Sequence, residues 1–146
     1  MLRDETEVAL NDLIGLAETS AQAYQRAAEG LDRAEFRTLC AELAGQRQAM
    51  AGKIRTHDRR LGDLPHAQDP DLSTARDLFA HLKAALASDH HRALLEDCEA
   101  ADNQLAERLA TALDLPLPDA TASLMRGMRF EVLAAVGRIA AAKARM

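Results

Sequence analysis

Carboxylates and histidines offer the most chemistry in this chain, and the spacing such chemistry needs is specific. A pair of redox metals held inside a helical bundle takes a carboxylate from each of two helices and a Glu-x-x-His from each of the other two. The i, i+3 spacing is required because both side chains must leave one helical face and reach the same metal pair. No Glu-x-x-His occurs anywhere in the chain, and the nearest relative, Asp63-x-x-His66, falls in a stretch that reads as loop. Acids at inward or near-inward positions are Glu18, Glu99 with Asp102, and Glu131, each set on a different helical segment. The matching position on the remaining segment is Gln46, and Ala134 stands where a histidine would follow Glu131. Carboxylates without histidine partners suit at most one hard, weakly held cation. The competing reading is a set of solvated flank charges, since Asp and Glu are seldom buried unpaired. The expectation is therefore no bound metal and no cofactor.

The other reactive types fit no site better. His57 lies on an apolar face near the end of a helical segment, where the expected role is a partly buried histidine bonded to a neighbouring helix. His90 and His91 are adjacent, so their side chains diverge by about 100° on a helix and cannot readily share one metal. Cys40 and Cys98 are far apart in sequence and read as small core residues. Met50, Met125 and Met128 are spaced as core fillers. Lys53, Arg55, Arg59 and Arg60 form a basic run without interleaved aromatics, which suits a solvated helix end better than a nucleic-acid surface. There is no glycine-rich phosphate loop and no nucleophile elbow, so nothing here supports an enzyme.

The elements that would position these residues are helices. The positions Leu10, Leu13, Ala17, Ser20, Tyr24, Ala27 and Leu31 alternate by three and four, predicting one helix over about Thr6 to Glu29. A second is expected from about Arg33 to Leu61, with the stripe Phe36, Leu39, Leu43, Gln46, Met50, Ile54, His57 and Leu61. Gly30 reads as a left-handed stop between them, and Asp32 with Glu35 as a capping box. A connection from Gly62 to Asp89 follows, carrying a short amphipathic helix through Leu72, Ala75, Phe79, Leu82 and Leu86. Two further long helices are expected, from about His90 to Leu113 and from about Asp119 to Lys143. Their stripes are Leu95, Cys98, Ala101 or Asp102, Leu105, Leu109 and Ala112, then Leu124, Met128, Val132, Ala135, Ile139 and Ala142. Four long helices split by a mid-chain crossover have the connectivity of ferritin-like bundles.

Composition fits one all-α domain over residues 1–146. Hydrophobic residues make up 48% and aromatics only 3%, so the core is built of Ala and Leu and suits close helix packing. The net charge of −5, with both signs interspersed, argues against a general nucleic-acid or anionic-membrane binder. No apolar run approaches the roughly 18 residues a bilayer needs, and the first residues show no signal-peptide core. A cytoplasmic protein is expected, with a second copy or another protein as its partner.

Leu10-Asn11-Asp12-Leu13-Ile14, followed by Tyr24-Gln25-Arg26-Ala27-Ala28-Glu29, resembles the start of a bacterial family of ferritin-like four-helix-bundle proteins of unknown function. Leu82-Lys83-Ala84-Ala85-Leu86 is similar to that family's crossover helix, with Phe79 where members tend to have Trp, and Cys98-Glu99 with Asp102 matches its third long helix. The resemblance implies a ferritin-like four-helix bundle with a short extra helix in the long crossover between the second and third long helices. It implies no activity. Members often carry Glu where this chain has Gly15, and His-Asp where it has Val136-Gly137. Both departures remove groups able to ligate a metal.

Overall fold

The computed structural model describes residues 5–57 and 90–146. Every regular element among them is an α-helix: α1 Glu5–Gly30, α2 Ala34–His57, α3 His90–Ala112 and α4 Asp119–Ala144. The short crossover helix expected around Phe79, and the end of the second helix beyond His57, lie outside the described residues.

Each helix buries the stripe that its three-four spacing dictates. All seven stripe positions of α1, from Leu10 to Leu31, are buried. On α4, Met128, Val132, Ala135, Ile139 and Ala142 are buried, joined by Met125. On α2 the buried line runs through Phe36, Cys40, Leu43, Arg47, Met50 and Ile54. It therefore passes through Cys40 and Arg47, while Leu39 and Gln46 are only partly buried at its edge. On α3 the line takes Asp102 and leaves Ala101 partly covered.

The turn after α1 also departs from expectation. Gly30 has no positive φ and is the last residue of α1. Its service is close approach, because a Cβ built there would stand 2.7 Å from Leu94 Cδ1 of α3. The first helical residue of α2 is Ala34, and the Arg33 carbonyl accepts the Arg37 N–H at 3.1 Å, which puts Arg33 at the N-cap position. Asp32 instead faces His91 at 3.4 Å, and Glu35 pairs with Arg33, so the capping box read from Asp32 and Glu35 is not formed.

Contacts fix the helix directions. Glu18 meets Arg55, so α1 and α2 are antiparallel, as so short a turn requires. Asp12 meets Arg108 and Asp32 meets His91, so α3 also runs against α1. Glu42 meets Arg138 and Glu99 meets Lys143, which sets α4 against both α2 and α3. Thus α2 and α3 run the same way on opposite corners. His57, bonded to Thr121, and His91, beside Asp32, mark opposite ends of the bundle. The last described residue of α2 and the first of α3 thus lie about a helix length, roughly 36 Å, apart. The seam between α2 and α4 is the thinnest of the four.

Two apolar clusters fill the interior. One gathers Leu10, Leu13, Ile14, Met50, Ile54, Leu105, Leu109, Met125 and Val132. The other gathers Ala27, Phe36, Leu43, Leu95 and Ile139, with Cys40 and Cys98. Burying each large aliphatic or aromatic side chain contributes about 1.5–3 kcal/mol. The layer between the clusters is polar, and it is the site.

Candidate functional site

At mid-height α1 contributes Ser20 and Tyr24, one turn apart and therefore on one face, while α2 contributes Arg47 and α3 contributes Asp102. All four side chains are 0% exposed. Arg47 lies diagonally across the bundle from Asp102 and grips it with two parallel bonds, Nε to Oδ1 at 2.8 Å and Nη2 to Oδ2 at 2.9 Å. Ser20 Oγ donates to Oδ1 at 2.6 Å, and Tyr24 Oη donates to Oδ2. A carboxylate has about four acceptor positions, so Asp102 is saturated. The Arg47 guanidinium also stands 5.8 Å from the Tyr24 ring centroid, a cation–π distance. Its Nη1 is buried and finds no partner among the described residues.

The electrostatics follow from this packing. Burial, then the Asp102 carboxylate, pushes the Tyr24 phenol well above the ordinary tyrosine range, because a phenolate there would be desolvated and face another anion. Burial works against the Arg47 charge but is outweighed by the bonds and attraction to Asp102, so its proton is held more tightly than usual. The quartet is thus one neutral unit: an ion pair carrying two neutral hydroxyl donors. Its serine bonds only a carboxylate that Arg47 already holds through both oxygens, and no member is open to solvent.

One turn from Asp102 on α3 lies Cys98, which shares an apolar cluster with Cys40 of α2. The neighbouring Cys40 thiol and burial push the Cys98 thiol above its ordinary range. Both cysteines are buried and unbridged.

The other acids singled out from sequence go elsewhere. Glu18 pairs with Arg55 across α1 and α2, and Glu99 pairs with Lys143 at 2.6 Å across α3 and α4. Glu131 is exposed on α4, near enough to Arg47 only to add to its field. His57 is exposed at the end of α2, with Nε2 2.8 Å from Thr121 Oγ1. These residues are not brought together, and among the described residues no three His, Cys, Asp or Glu side chains gather around a common point. Of the acids considered, only Asp102 belongs to the central layer. Its partners Ser20, Tyr24 and Arg47 carried no chemical role in the sequence reading. The signal that marks them is an arginine and an aspartate at stripe positions of two helices, level with a serine and tyrosine on a third.

The described residues form four α-helices with a sealed ion-pair network at their centre. The chain belongs to the DUF2383 family, a domain of unknown function, which it matches over residues 5–115. The match covers α1, α2 and α3 and hence every member of the quartet; α4 lies beyond it. A comparison with curated proteins gives no match. No helix among the described residues is long and apolar enough to cross a membrane.

Proposed function

We propose that this chain is a non-enzymatic, ferritin-like bundle that acts through its surface, as a self-associating or accessory, stress-related protein, with its centre given over to holding the helices together. The connectivity supports the ferritin-like assignment: α2 and α3 run in parallel, with the end of one and the start of the other at opposite ends of the bundle. The observation that carries the reading is the saturation of Asp102. A guanidinium occupies the middle of the bundle, where a cation would sit among inward carboxylates, and it takes both carboxylate oxygens. The acids flanking it, Glu18 and Glu99, are each engaged with a cationic side chain.

Two exposed apolar side chains, one turn apart, favour action at the surface. Phe130 is 76% exposed and Leu133 is 43% exposed on the outer side of α4, a cost in water that a contact would recover.

Elemental analysis of untagged protein, expressed with supplemental iron and manganese, tests the reading. Metal far below one per chain is expected. Near-stoichiometric metal lost in a Glu18, Glu99 and Glu131 triple alanine variant would replace this proposal with a metal-binding bundle.

A further inference from the structure

We propose that the cleft at the end of the bundle where α2 and α3 begin binds a small organic anion, a carboxylate or phosphate head on a short apolar body. The cleft has a volume of about 340 Å³, at the lower end of the range for small-molecule sites. Its floor is apolar, made by Leu31 and Phe36, and its rim is charged, made by Asp32, Arg33, His91 and Arg92.

The cations of the rim are held in place. Arg33 Nη1 donates to the Arg145 carbonyl at 3.1 Å, its Nη2 donates to Glu35, and its guanidinium stands 4.4 Å from the Phe36 ring centroid. Arg145 comes to 5.3 Å from the same ring and 3.8 Å from the same carboxylate. Glu35 therefore serves two guanidiniums, and the group keeps an excess positive charge. Arg92 is the open side of the site. Its partner among the described residues is Glu96, met through Nε at 3.5 Å, so both Nη groups remain available to grip an anion through two parallel bonds.

His91 lies across from Asp32 at 3.4 Å, and that carboxylate is 83% exposed, so water screens the acid on the rim. Both α2 and α3 start at this end, and the positive ends of their dipoles add to the attraction. Leu31 and Phe36 are packed into the core, so the floor is preformed and favours an apolar body over a hydrated inorganic ion.

The test titrates the full isotope-labelled chain with phenyl phosphate, benzoate, inorganic phosphate and benzyl alcohol, following backbone amides by NMR at an ionic strength of about 0.1 M. Phenyl phosphate or benzoate should give saturable shifts centred on Asp32 to Phe36 and His91 to Arg92, with a Kd of about 1 mM or below. The tighter of the two identifies the head group. Inorganic phosphate and benzyl alcohol should each bind at least about tenfold more weakly, since each lacks one half of the ligand. Arg92→Gln, with helical circular dichroism unchanged, should lose about tenfold in affinity, whereas Arg108→Gln at the far end should lose none. The proposal is overturned if neither organic anion saturates by about 10 mM, or if Arg92→Gln binds as tightly as the wild type. Equal binding of inorganic phosphate would also overturn it, by reducing the cleft to a place for an adventitious ion only.

Discussion

Removing one partner of the Arg47–Asp102 pair should cost far more than removing both. In Asp102→Asn the Arg47 guanidinium keeps its charge at 0% exposure but loses its counter-ion. An uncompensated buried charge of this kind costs about 3–5 kcal/mol. Ser20 and Tyr24 each lose a charged acceptor as well, which moves the total toward the upper end of that range. Arg47→Met leaves the Asp102 carboxylate with only two hydroxyl donors and should cost a similar amount. For a chain of this size each kcal/mol is about 2–4 °C, so either single variant should melt roughly 10–20 °C lower. The double variant Arg47→Met with Asp102→Leu fills the layer with apolar volume, and should lie within about 2 kcal/mol of the wild type. Urea unfolding followed by circular dichroism, compared at equal slope, gives the coupling directly, and it should exceed about 3 kcal/mol in magnitude. Single variants that cost under about 1 kcal/mol, or a double variant equal to the sum of its parts, would refute the reasoning.

Surface glycines and a surface ion pair give smaller effects of known sign. A Cβ at Gly45 or Gly137 meets nothing within 4 Å, and both lie inside helices. Changing either to Ala should stabilise by about 0.5–1 kcal/mol from helix propensity alone; destabilisation in the urea assay would show a close contact at that face. Gly30→Ala should change stability by less than about 1 kcal/mol, because the atom 2.7 Å from the added carbon is the far end of the Leu94 side chain, which can turn aside. Arg138 holds the Glu42 carboxyl below its usual range through both oxygens. A depressed folded pKa contributes stability above the unfolded value, lost as pH falls through the folded one. Glu42→Gln should thus be slightly less stable than wild type near neutrality, with the gap narrowing as pH falls below about 4. A gap between the two that widened in acid would contradict this.

The fold was far more legible than its centre. The α1 stripe and the boundaries of α3 and α4 follow from local spacing alone, because a helix that buries one face must repeat every three or four residues. The error on α2 came from that same spacing. A step of three or four after Phe36 allows either Leu39 or Cys40, and a step before Met50 allows either Gln46 or Arg47. Taken by itself, a neutral amide is the cheaper residue to bury. Arg47 wins because Asp102 waits across the bundle, and that compensation comes from a helix distant in sequence. Ser20 and Tyr24 were placed on the buried line, but their purpose depends on the same distant carboxylate. Gly30 shows the converse: the atom a side chain there would meet belongs to Leu94 on α3, not to the turn it precedes.

Tyr24 is the only tyrosine, and there is no tryptophan, so ultraviolet absorbance near 295 nm reports on the central network without interference. Burial and Asp102 raise the folded-state pKa of this phenol above its unfolded value. The stability it contributes is therefore intact below about pH 10 and is lost as pH climbs further. An alkaline titration following tyrosinate absorbance and helical circular dichroism together tests whether the centre is sealed. The two signals should change at the same pH, Tyr24 ionising only as the helices unfold. A tyrosinate signal with a midpoint near pH 10 and undiminished helicity would show that water reaches Tyr24, and the structural reading of the Arg47–Asp102 layer would fall.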